Sequence, residues 1–362
     1  MVREFAKREW FFLSLLSLYL VLVLLNPSLL SKTPALIDWR SLSLITSLII
    51  ASKALELSGV FVRLSSRLIA LSSGSERRMM LILLPVIAFT SALIMNDTAM
   101  LVFIPLVALT SELSGIDKVK AVTLSAIAAN AGSALTPIGN PQNVILWQTY
   151  GISFGAFIRA MLPFVLLWLL LLLTFALSVG NRKLEVGEIP AVPLKKGALL
   201  SAFLLIIADV LLAETGRALW TFPLTFFVVL LFSREALVAF DWVLVLTFAL
   251  IFVDFGEISS IVASLGLSFP HTGVSLLLAS SLLSQIISNV PATVLIIGAK
   301  PEWLPLAVGV NAGGTGFIIG SLANLIAVRI AGVRIRDFHR ISVPYFLAAL
   351  LLSTLLLAGI EG

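Results

Sequence analysis

The sequence predicts an all-α polytopic membrane protein built from two inverted repeats. Of its 362 residues, 59% are hydrophobic and 12% are charged, whereas a soluble domain carries about 25% charged residues. The charged residues stand between uncharged runs that reach the roughly 20 residues a helix needs to cross a bilayer. The chain also resembles itself at an offset of 181 residues. Helical crossings and an internal duplication therefore define the fold class.

Long uncharged runs locate the membrane spans. The first run starts at Trp10 and reaches Asn26 and Pro27 without a small-residue cleavage site, so we interpret it as a retained helix rather than a signal peptide. About nine full crossings are predicted, at residues 10–30, 41–60, 121–150, 158–180, 197–213, 218–233, 241–260, 303–330 and 341–360.

Two further apolar stretches, 79–111 and 272–299, hold a polar break near the middle. The first break is Asn96-Asp97-Thr98 and the second contains Ser288-Asn289. Exposed polar backbone is not tolerated in hydrocarbon unless protein covers it. We therefore predict two re-entrant hairpins, each of which enters and leaves on one side of the membrane.

The internal repeat aligns Asn130 to Leu166 with Asn311 to Leu347 without a gap, and 12 of these 37 positions are identical. Most of the identities are Asn, Gly, Pro, Arg or Phe, which shared hydrophobicity does not explain. The predicted organisation is a first transmembrane helix at 1–35, repeat 1 at 36–180, an inner loop and two linking spans at 181–238, and repeat 2 at 239–362.

The distribution of basic residues predicts a cytoplasmic N-terminus and an external C-terminus. With this orientation the inner segments hold 18 of the 24 Lys and Arg residues, as the positive-inside rule requires. Repeat 1 then starts outside at Asp38 and repeat 2 starts inside at Asp241, so the two copies are inverted. Inverted repeats with interrupted helices at matching positions are typical of secondary transporters.

The spans at 121–150 and 303–330 are predicted to be broken helices. Pro137 and Pro141 remove backbone donors around Gly139, and glycines take the place of proline in the second copy. Unwound carbonyls and amide side chains could coordinate a small cation, and half-helix N-termini could hold an anion. The alternative is that the glycines only permit close helix packing and the asparagines satisfy loose backbone groups.

We expect the breaks to meet the hairpin tips near the membrane midplane and to form two half-sites. The candidate substrate-binding or ion-binding residues are Asn96, Asp97, Thr98, Thr136, Gly139, Asn140 and Asn143 in the first, and Ser288, Asn289, Thr315, Gly320, Ser321 and Asn324 in the second.

Asp97 is the sharpest single candidate, because a carboxylate at an intramembrane hairpin tip must be paired, protonated or bound to a cation. It could ligate Na⁺ or carry a proton; alternatively, it could cap the following half-helix. Asp254 and Glu257 fall toward the end of a span, and we expect them to make interfacial or structural pairs.

Composition and motifs argue against other functional classes. The absence of cysteine excludes disulfides and thiolate chemistry, and two isolated histidines do not form a recognisable metal site. No Walker motif or nucleophile and base pair is visible, so neither ATP-driven transport nor an enzyme is expected. The net charge of +5 is attributed to cytoplasmic loops rather than to nucleic-acid binding. No cofactor is expected beyond Na⁺ or H⁺ as coupling ion.

Two motifs resemble those of a known family. Asn96-Asp-Thr-Ala-Met100 followed by Thr136-Pro-Ile-Gly-Asn-Pro-Gln-Asn143 is similar to the ion transporter superfamily, which includes the ArsB arsenite permeases, the NhaD sodium/proton antiporters and the divalent anion/sodium symporters. The YbiR-type anion permeases resemble the chain most, over nearly its whole length. The resemblance implies a homodimer with a static scaffold and a transport domain that moves as an elevator. It also implies Na⁺ sites at Asn96, Asp97 and Asn143 and at Asn289 and Asn324.

The hairpin tips depart from the pattern of the dicarboxylate symporters, which typically have Ser-Asn-Thr at both tips. An acid at the first tip disfavours a bare dianion nearby. The predicted function is therefore a permease for a small anion or oxyanion, coupled to Na⁺ or H⁺ and working by alternating access. The alternatives are a sodium/proton antiporter that uses Asp97, and an efflux permease for arsenite or another neutral hydroxide.

Overall fold

The computed structural model describes residues 9–71, 75–114, 116–180 and 193–361. Its regular structure in these ranges is helical, and no β-strand occurs there. The part of the predicted inner loop at 181–192 lies outside the described residues, as do the basic residues Arg3, Lys7 and Arg8. The chain is thus an all-α protein over the part that can be described.

The helices follow one another in the order of the predicted spans. The first half contains α1 (Trp10–Leu25), α2 (Leu29–Leu36), α3 (Trp39–Leu57), α4 (Val60–Leu71), α5 (Glu76–Leu93), α6 (Asn96–Ser114), α7 (Lys118–Ser133), α8 (Pro141–Tyr150) and α9 (Phe154–Leu177). The second half contains α10 (Lys196–Glu214), α11 (Thr221–Phe232), α12 (Arg234–Val238), α13 (Trp242–Ser264), α14 (Gly273–Ile287), α15 (Asn289–Ile297), α16 (Trp303–Gly313), α17 (Leu322–Ala331) and α18 (Ile335–Glu361).

Four described helices, α9, α10, α13 and α18, are each long and apolar enough to cross a membrane. The pair α2 and α3, bent by 60°, passes the same test together. The predicted number of nine is larger because it also counts a first span that is broken here, a span at 218–233 that is short here, and two spans interrupted near their centres. Several apolar helices establish a multi-pass membrane protein, and the full count of nine stays a prediction.

The predicted first span at 10–30 differs from the structure. Helix α1 ends at Leu25, and Asn26 leaves the helical region with φ −137° and ψ 86°. Pro27 follows and cannot donate the backbone hydrogen bond that a continued helix would need. The chain restarts as the short helix α2, so the N-terminal segment is two helices rather than one.

The two hairpin stretches each divide into two helices at the polar break. In the first, Ile94 is extended with φ −131° and ψ 163°, and α6 begins at Asn96. In the second, Ser288 has φ 77° and ψ 157° between α14 and α15. This backbone conformation is nearly restricted to glycine and is typical of functional sites.

The spans at 121–150 and 303–330 are interrupted as well. Helix α7 ends at Ser133 and α8 begins at Pro141, where a missing N–H does no harm because the first turn of a helix leaves it unpaired. Helix α16 ends at Gly313, and α17 begins at Leu322 after a single 3₁₀ turn. The half-helices α8 and α17 both end at a left-handed glycine, Gly151 and Gly332.

The packing of the two halves follows the same scheme. The first arm of each hairpin packs on the half-helix before a break, α5 on α7 and α14 on α16. The second arm packs on the half-helix after the other break, α6 on α17 and α15 on α8. Helices α3, α10 and α11 form a second group, and α13 packs against both α1 and α15. The four breaks are therefore brought toward one another.

A close approach between α5 and α7 depends on Gly132. A Cβ atom at this position would lie within 2.1 Å of the Ala88 carbonyl oxygen, and backbone cannot move aside as a flexible side chain does. The corresponding Gly313 approaches Ser281 and Ser284 of α14 in a similar way.

We predict that Gly132→Ala lowers the free energy of unfolding by about 3 kcal/mol, because overpacking forces α5 and α7 apart. The measurement is the apparent melting temperature of the detergent-purified protein by tryptophan fluorescence. The control is Gly155→Ala in α9, where no atom lies within 4 Å of the added Cβ, so its melting temperature should stay equal to or slightly above that of the wild type. Equal melting temperatures for the two variants would contradict the prediction.

Candidate functional site

The four interruptions of helices lie in a buried region of the protein. All thirteen residues predicted from the sequence are buried, and Asp97, at 9% exposure, is the most accessible polar side chain among them. Few of these polar groups can reach water, so their partners within the protein decide what the region can bind.

One set of hydrogen bonds joins the break of repeat 1 to Asn311 of α16. The Asn140 side-chain N–H donates to Asn311 Oδ1 over 2.9 Å, and Asn311 Nδ2 donates to Asn143 Oδ1 over 2.7 Å. Gln142 Nε2 adds a third contact to Asn311 Oδ1 at 3.2 Å. Asn311 thus holds the start of α8 from the opposite repeat.

A second set joins the break of repeat 2 to Asn130 of α7. Asn130 Nδ2 donates to Asn324 Oδ1 over 2.8 Å, and the Ser321 hydroxyl donates to Asn130 Oδ1 over 3.1 Å. Each contact has a counterpart in the first set at an offset of 181 residues, since Asn130 corresponds to Asn311, Asn143 to Asn324 and Asn140 to Ser321. We call these reciprocal contacts the asparagine network.

The same asparagines satisfy the backbone that the breaks leave unpaired. Asn143 Nδ2 lies 2.9 Å from the Thr136 carbonyl and 3.3 Å from that of Ala134. Asn324 Nδ2 lies 2.9 Å from the Gly314 carbonyl and 3.2 Å from that of Phe317. Such carbonyls at a helix C-terminus have no partner within the helix, so the two side chains hold each unwound segment in a fixed form.

The first hairpin tip is attached directly to this network. The Asn96 backbone N–H donates to the Gly139 carbonyl over 2.9 Å, and Asn96 Nδ2 donates to Asn130 Oδ1 over 3.1 Å. Asn96 Oδ1 is buried and receives no hydrogen bond from the described residues. The neighbouring Asp97 and Thr98 are buried in the first turn of α6, and among described residues no side-chain hydrogen bond or ion pair of Asp97 is found.

The second hairpin tip is held differently. Asn289 Oδ1 accepts the Val290 N–H over 2.9 Å, and the Ser288 hydroxyl lies 3.4 Å from the same oxygen. Asn289 Nδ2 lies beside Gly314, where an added Cβ would be 3.3 Å away. The structure therefore places this tip beside the second break, and no hydrogen bond between them is found among the described residues.

The remaining candidates shape the breaks rather than join the network. The Thr136 hydroxyl donates to the Ala92 carbonyl over 2.5 Å, and the Thr315 hydroxyl to that of Ala312 over 2.7 Å. Gly139 and Gly320 each lie so close to backbone that an added Cβ would stand 2.1 Å from Ser133 O and 2.6 Å from Gly313 O, respectively.

Several residues at the site were missed by sequence reasoning. Asn130 and Asn311 are the centres of the network, and their identity in the two repeats was the signal that could have found them. Gln285 of α14 donates to the Gly313 carbonyl over 2.5 Å and accepts the Phe317 N–H over 2.7 Å. His339 Nε2 accepts the Ile318 N–H over 2.9 Å; no local pattern marks that contact.

A cavity of about 430 Å³ lies between α13, α15 and the chain around Asp38. Its lining includes Gly256 and Ser259 of α13 and Ile145 of α8. None of the thirteen predicted residues lines this cavity. The breaks themselves are closed by protein in this structure.

Comparison with known proteins supplies independent information. Residues 7–302 match the family described as citrate transporter (CitMHS). The inner membrane protein YbiR of Escherichia coli K12 is 33% identical over 331 residues, which cover 90% of this chain and 89% of that protein. An uncharacterized transporter of Methanocaldococcus jannaschii is 32% identical over 90% of each chain. A silicon efflux transporter of Oryza sativa subsp. japonica is 33% identical over 132 residues, or 36% of this chain and 27% of that protein.

We predict that Asn143→Asp and Asn324→Asp each lower the free energy of unfolding by about 3 kcal/mol or more, because each places a buried carboxylate against backbone carbonyls that lose their donor. The two losses should be similar, since the contacts correspond. Melting temperatures in detergent test this. Gln148→Glu is the matched control: it makes the same chemical change on α8, at a half-buried amide without a hydrogen bond to the described residues, and should have little effect. A control as unstable as the two variants would contradict the argument.

Proposed function

Because the chain belongs to the citrate transporter family and is a multi-pass membrane transporter rather than an enzyme, we propose that it moves a small anion or oxyanion by secondary active transport, coupled to Na⁺ or H⁺. The observation that carries this proposal is the asparagine network, because it joins the unwound segments of both repeats at one buried place. A solute bound there would contact both halves of the molecule at once.

The electrostatics around the network support a small anion. Four helices begin there, α6 at Asn96, α8 at Pro141, α15 at Asn289 and α17 at Leu322. The N-terminus of a helix carries roughly half a positive charge and presents unpaired N–H groups. Among the described residues, no Lys or Arg side chain is hydrogen-bonded to the network. The positive potential there therefore comes from the helix termini.

The reciprocal contacts also support inverted repeats and alternating access. Contacts that recur at a fixed offset are expected when two copies of one unit face each other across a pseudo-two-fold axis. In the proposal, the hairpins and broken helices form the moving part, and α1 to α3 with α10 to α13 form the scaffold of an elevator. The homodimer, the cytoplasmic N-terminus and the external C-terminus belong to the same proposal.

A coupling cation fits the oxygen atoms that the network leaves unused. Asn96 Oδ1 and Gln142 Oε1 are buried without a hydrogen-bond donor among the described residues, and Asp97 brings a carboxylate next to Asn96. Carboxylate and amide oxygens are ligands that hard cations prefer. These oxygens support the first proposed Na⁺ site, Asn96 with Asp97 and Asn143. The second, Asn289 with Asn324, follows from the family resemblance, because both amide oxygens there already accept hydrogen bonds. A proton on Asp97 would serve the same coupling role, including in a sodium/proton antiporter.

A second candidate is a neutral hydroxide of the type of arsenite or silicic acid. The network consists of amides and a hydroxyl, with the Asp97 carboxyl group beside it, and such groups hydrogen-bond an uncharged hydroxide without needing a counter-ion. The similarity to a silicon efflux transporter over 132 residues favours this candidate too.

The proposal is tested by uptake into proteoliposomes with labelled citrate, phosphate, sulfate and arsenite, each with an imposed Na⁺ or pH gradient. We expect saturable accumulation of one of these solutes, driven by one of the gradients. Asp97→Asn should reduce gradient-driven accumulation about tenfold or more, which corresponds to about 1.4 kcal/mol, because it removes the only acid at the tip.

The control is Glu112→Gln at the other end of α6, which alters an exposed acid paired with Lys118 and should transport like the wild type. Exchange of Na⁺ for H⁺ without any added solute would identify the antiporter instead. Unsaturable flux, or full coupling in Asp97→Asn, would contradict the proposal.

A further inference from the structure

Another buried acidic residue, Asp254, takes no part in the asparagine network. Asp254 lies near the middle of α13, not toward the end of a span as the sequence suggested, and its side chain has 0% exposure. Both carboxyl oxygens lack any hydrogen-bond donor among the described residues. The sequence-based expectation of structural pairing is therefore wrong for Asp254.

The neighbouring acid on the same helix shows the contrast. Glu257, one turn further along α13, is 8% exposed and accepts a hydrogen bond of 2.9 Å from Asn26 Nδ2 at the break between α1 and α2. Structural pairing holds for this acid. Asp254 and Glu257 are thus both buried acids on one helix, but of the two only Glu257 has a hydrogen-bond partner among the described residues.

No charged neighbour compensates Asp254 in the part of the chain that is described. Helix α13 packs against α1, α2, α3 and α15. The titratable groups of α1, α2 and α3 are Tyr19, Lys32, Arg40, Lys53 and Glu56, and α15 has none. The Tyr19 hydroxyl is hydrogen-bonded to Thr33. Lys53 is 2.9 Å from Glu56, with which it forms an ion pair, and no ion pair or hydrogen bond joins any of these groups to Asp254.

An unpaired carboxylate in such surroundings is energetically unfavourable. Removing one ion from water costs several kcal/mol even after relaxation, and here no opposite charge or donor offsets that cost. A bound proton removes the charge and allows the carboxyl group to donate to a backbone carbonyl. We propose that Asp254 is a proton-binding site of this protein, separate from the candidate site at the helix breaks.

The position of Asp254 links this proton to movement, a step that rests on the proposed function. Helix α13 belongs to the proposed scaffold and packs on α15, the hairpin arm that begins at Asn289. The contact is close: a Cβ at Gly298 just past α15 would lie 2.5 Å from Ser259 Oγ of α13. Asp254 is closed from water here. In the proposal, it exchanges its proton only when the hairpin slides along α13. Transport by this chain is then coupled to H⁺.

The protonation itself is tested without a substrate. If folding takes up a proton at Asp254, stability must fall as pH rises, because the native state binds more protons than the unfolded state. Asp254→Asn is a neutral isostere and lacks this effect. The difference in melting temperature, wild type minus Asp254→Asn, should therefore decrease steadily from about pH 5 to about pH 8, and the infrared carbonyl band of a protonated carboxyl group should weaken in the variant.

The control for both measurements is Glu257→Gln, which keeps an oxygen that can accept from Asn26 and should leave the infrared band unchanged. A difference in melting temperature that is constant or rises with pH would overturn the proposal. So would a difference that depends on Na⁺ concentration and not on pH, since that result would assign a sodium site. Failure of Asp254→Asn to fold would also overturn it, because a neutral isostere should be tolerated.

The coupling step is tested in proteoliposomes with the solute identified by the uptake screen. Asp254→Asn should lose accumulation driven by a pH gradient about tenfold or more, while exchange of labelled for unlabelled solute continues and Glu257→Gln accumulates normally. Normal pH-driven accumulation in Asp254→Asn would overturn the coupling role. Absence of any uptake by the wild type would instead contradict the proposed function and leave the spectroscopic result standing.

Discussion

The need to satisfy backbone polar groups inside an apolar environment governs this structure. Helices α7 and α16 end in the buried interior and leave carbonyls without intrahelical partners. Asn143 and Asn324 donate to these carbonyls, and each is in turn held by an asparagine of the other repeat. The unwound segments can exist only because both repeats contribute, so fold and candidate site depend on the same hydrogen bonds.

The hydrogen bonds between the repeats also explain how a membrane transporter can contain a buried polar site. A neutral network with few accessible atoms avoids the high cost of buried charge, and helix N-termini supply positive potential without basic side chains. Several carboxyl groups are nevertheless buried, among them Asp97 at the first hairpin tip and Asp254 in α13. An acid within a membrane span is a candidate functional residue, and these two lie on opposite sides of the proposed boundary between moving and static parts.

Much of the site could be predicted from the sequence, because proline, glycine and asparagine in an uncharged stretch have few uses other than a broken helix. The repeat added the correspondence of Asn143 with Asn324. Contacts between distant segments could not be predicted: Gln285 and His339 act on the second break through the packing of α14 and α18. The end of α1 was missed although Pro27 marked it. A partner was expected for Asp254, but which side chains meet in the folded chain cannot be deduced from the sequence around one residue.

Reciprocal hydrogen bonds between the two repeats hold the helix breaks together. A double-mutant cycle on Asn130 and Asn324 measures this directly, with the free energy of unfolding determined for the wild type, both single alanine variants and the double variant. We expect a coupling energy of about 1 kcal/mol or more, which is usual for residues that share a hydrogen-bond network. Additive losses within about 0.3 kcal/mol would contradict it.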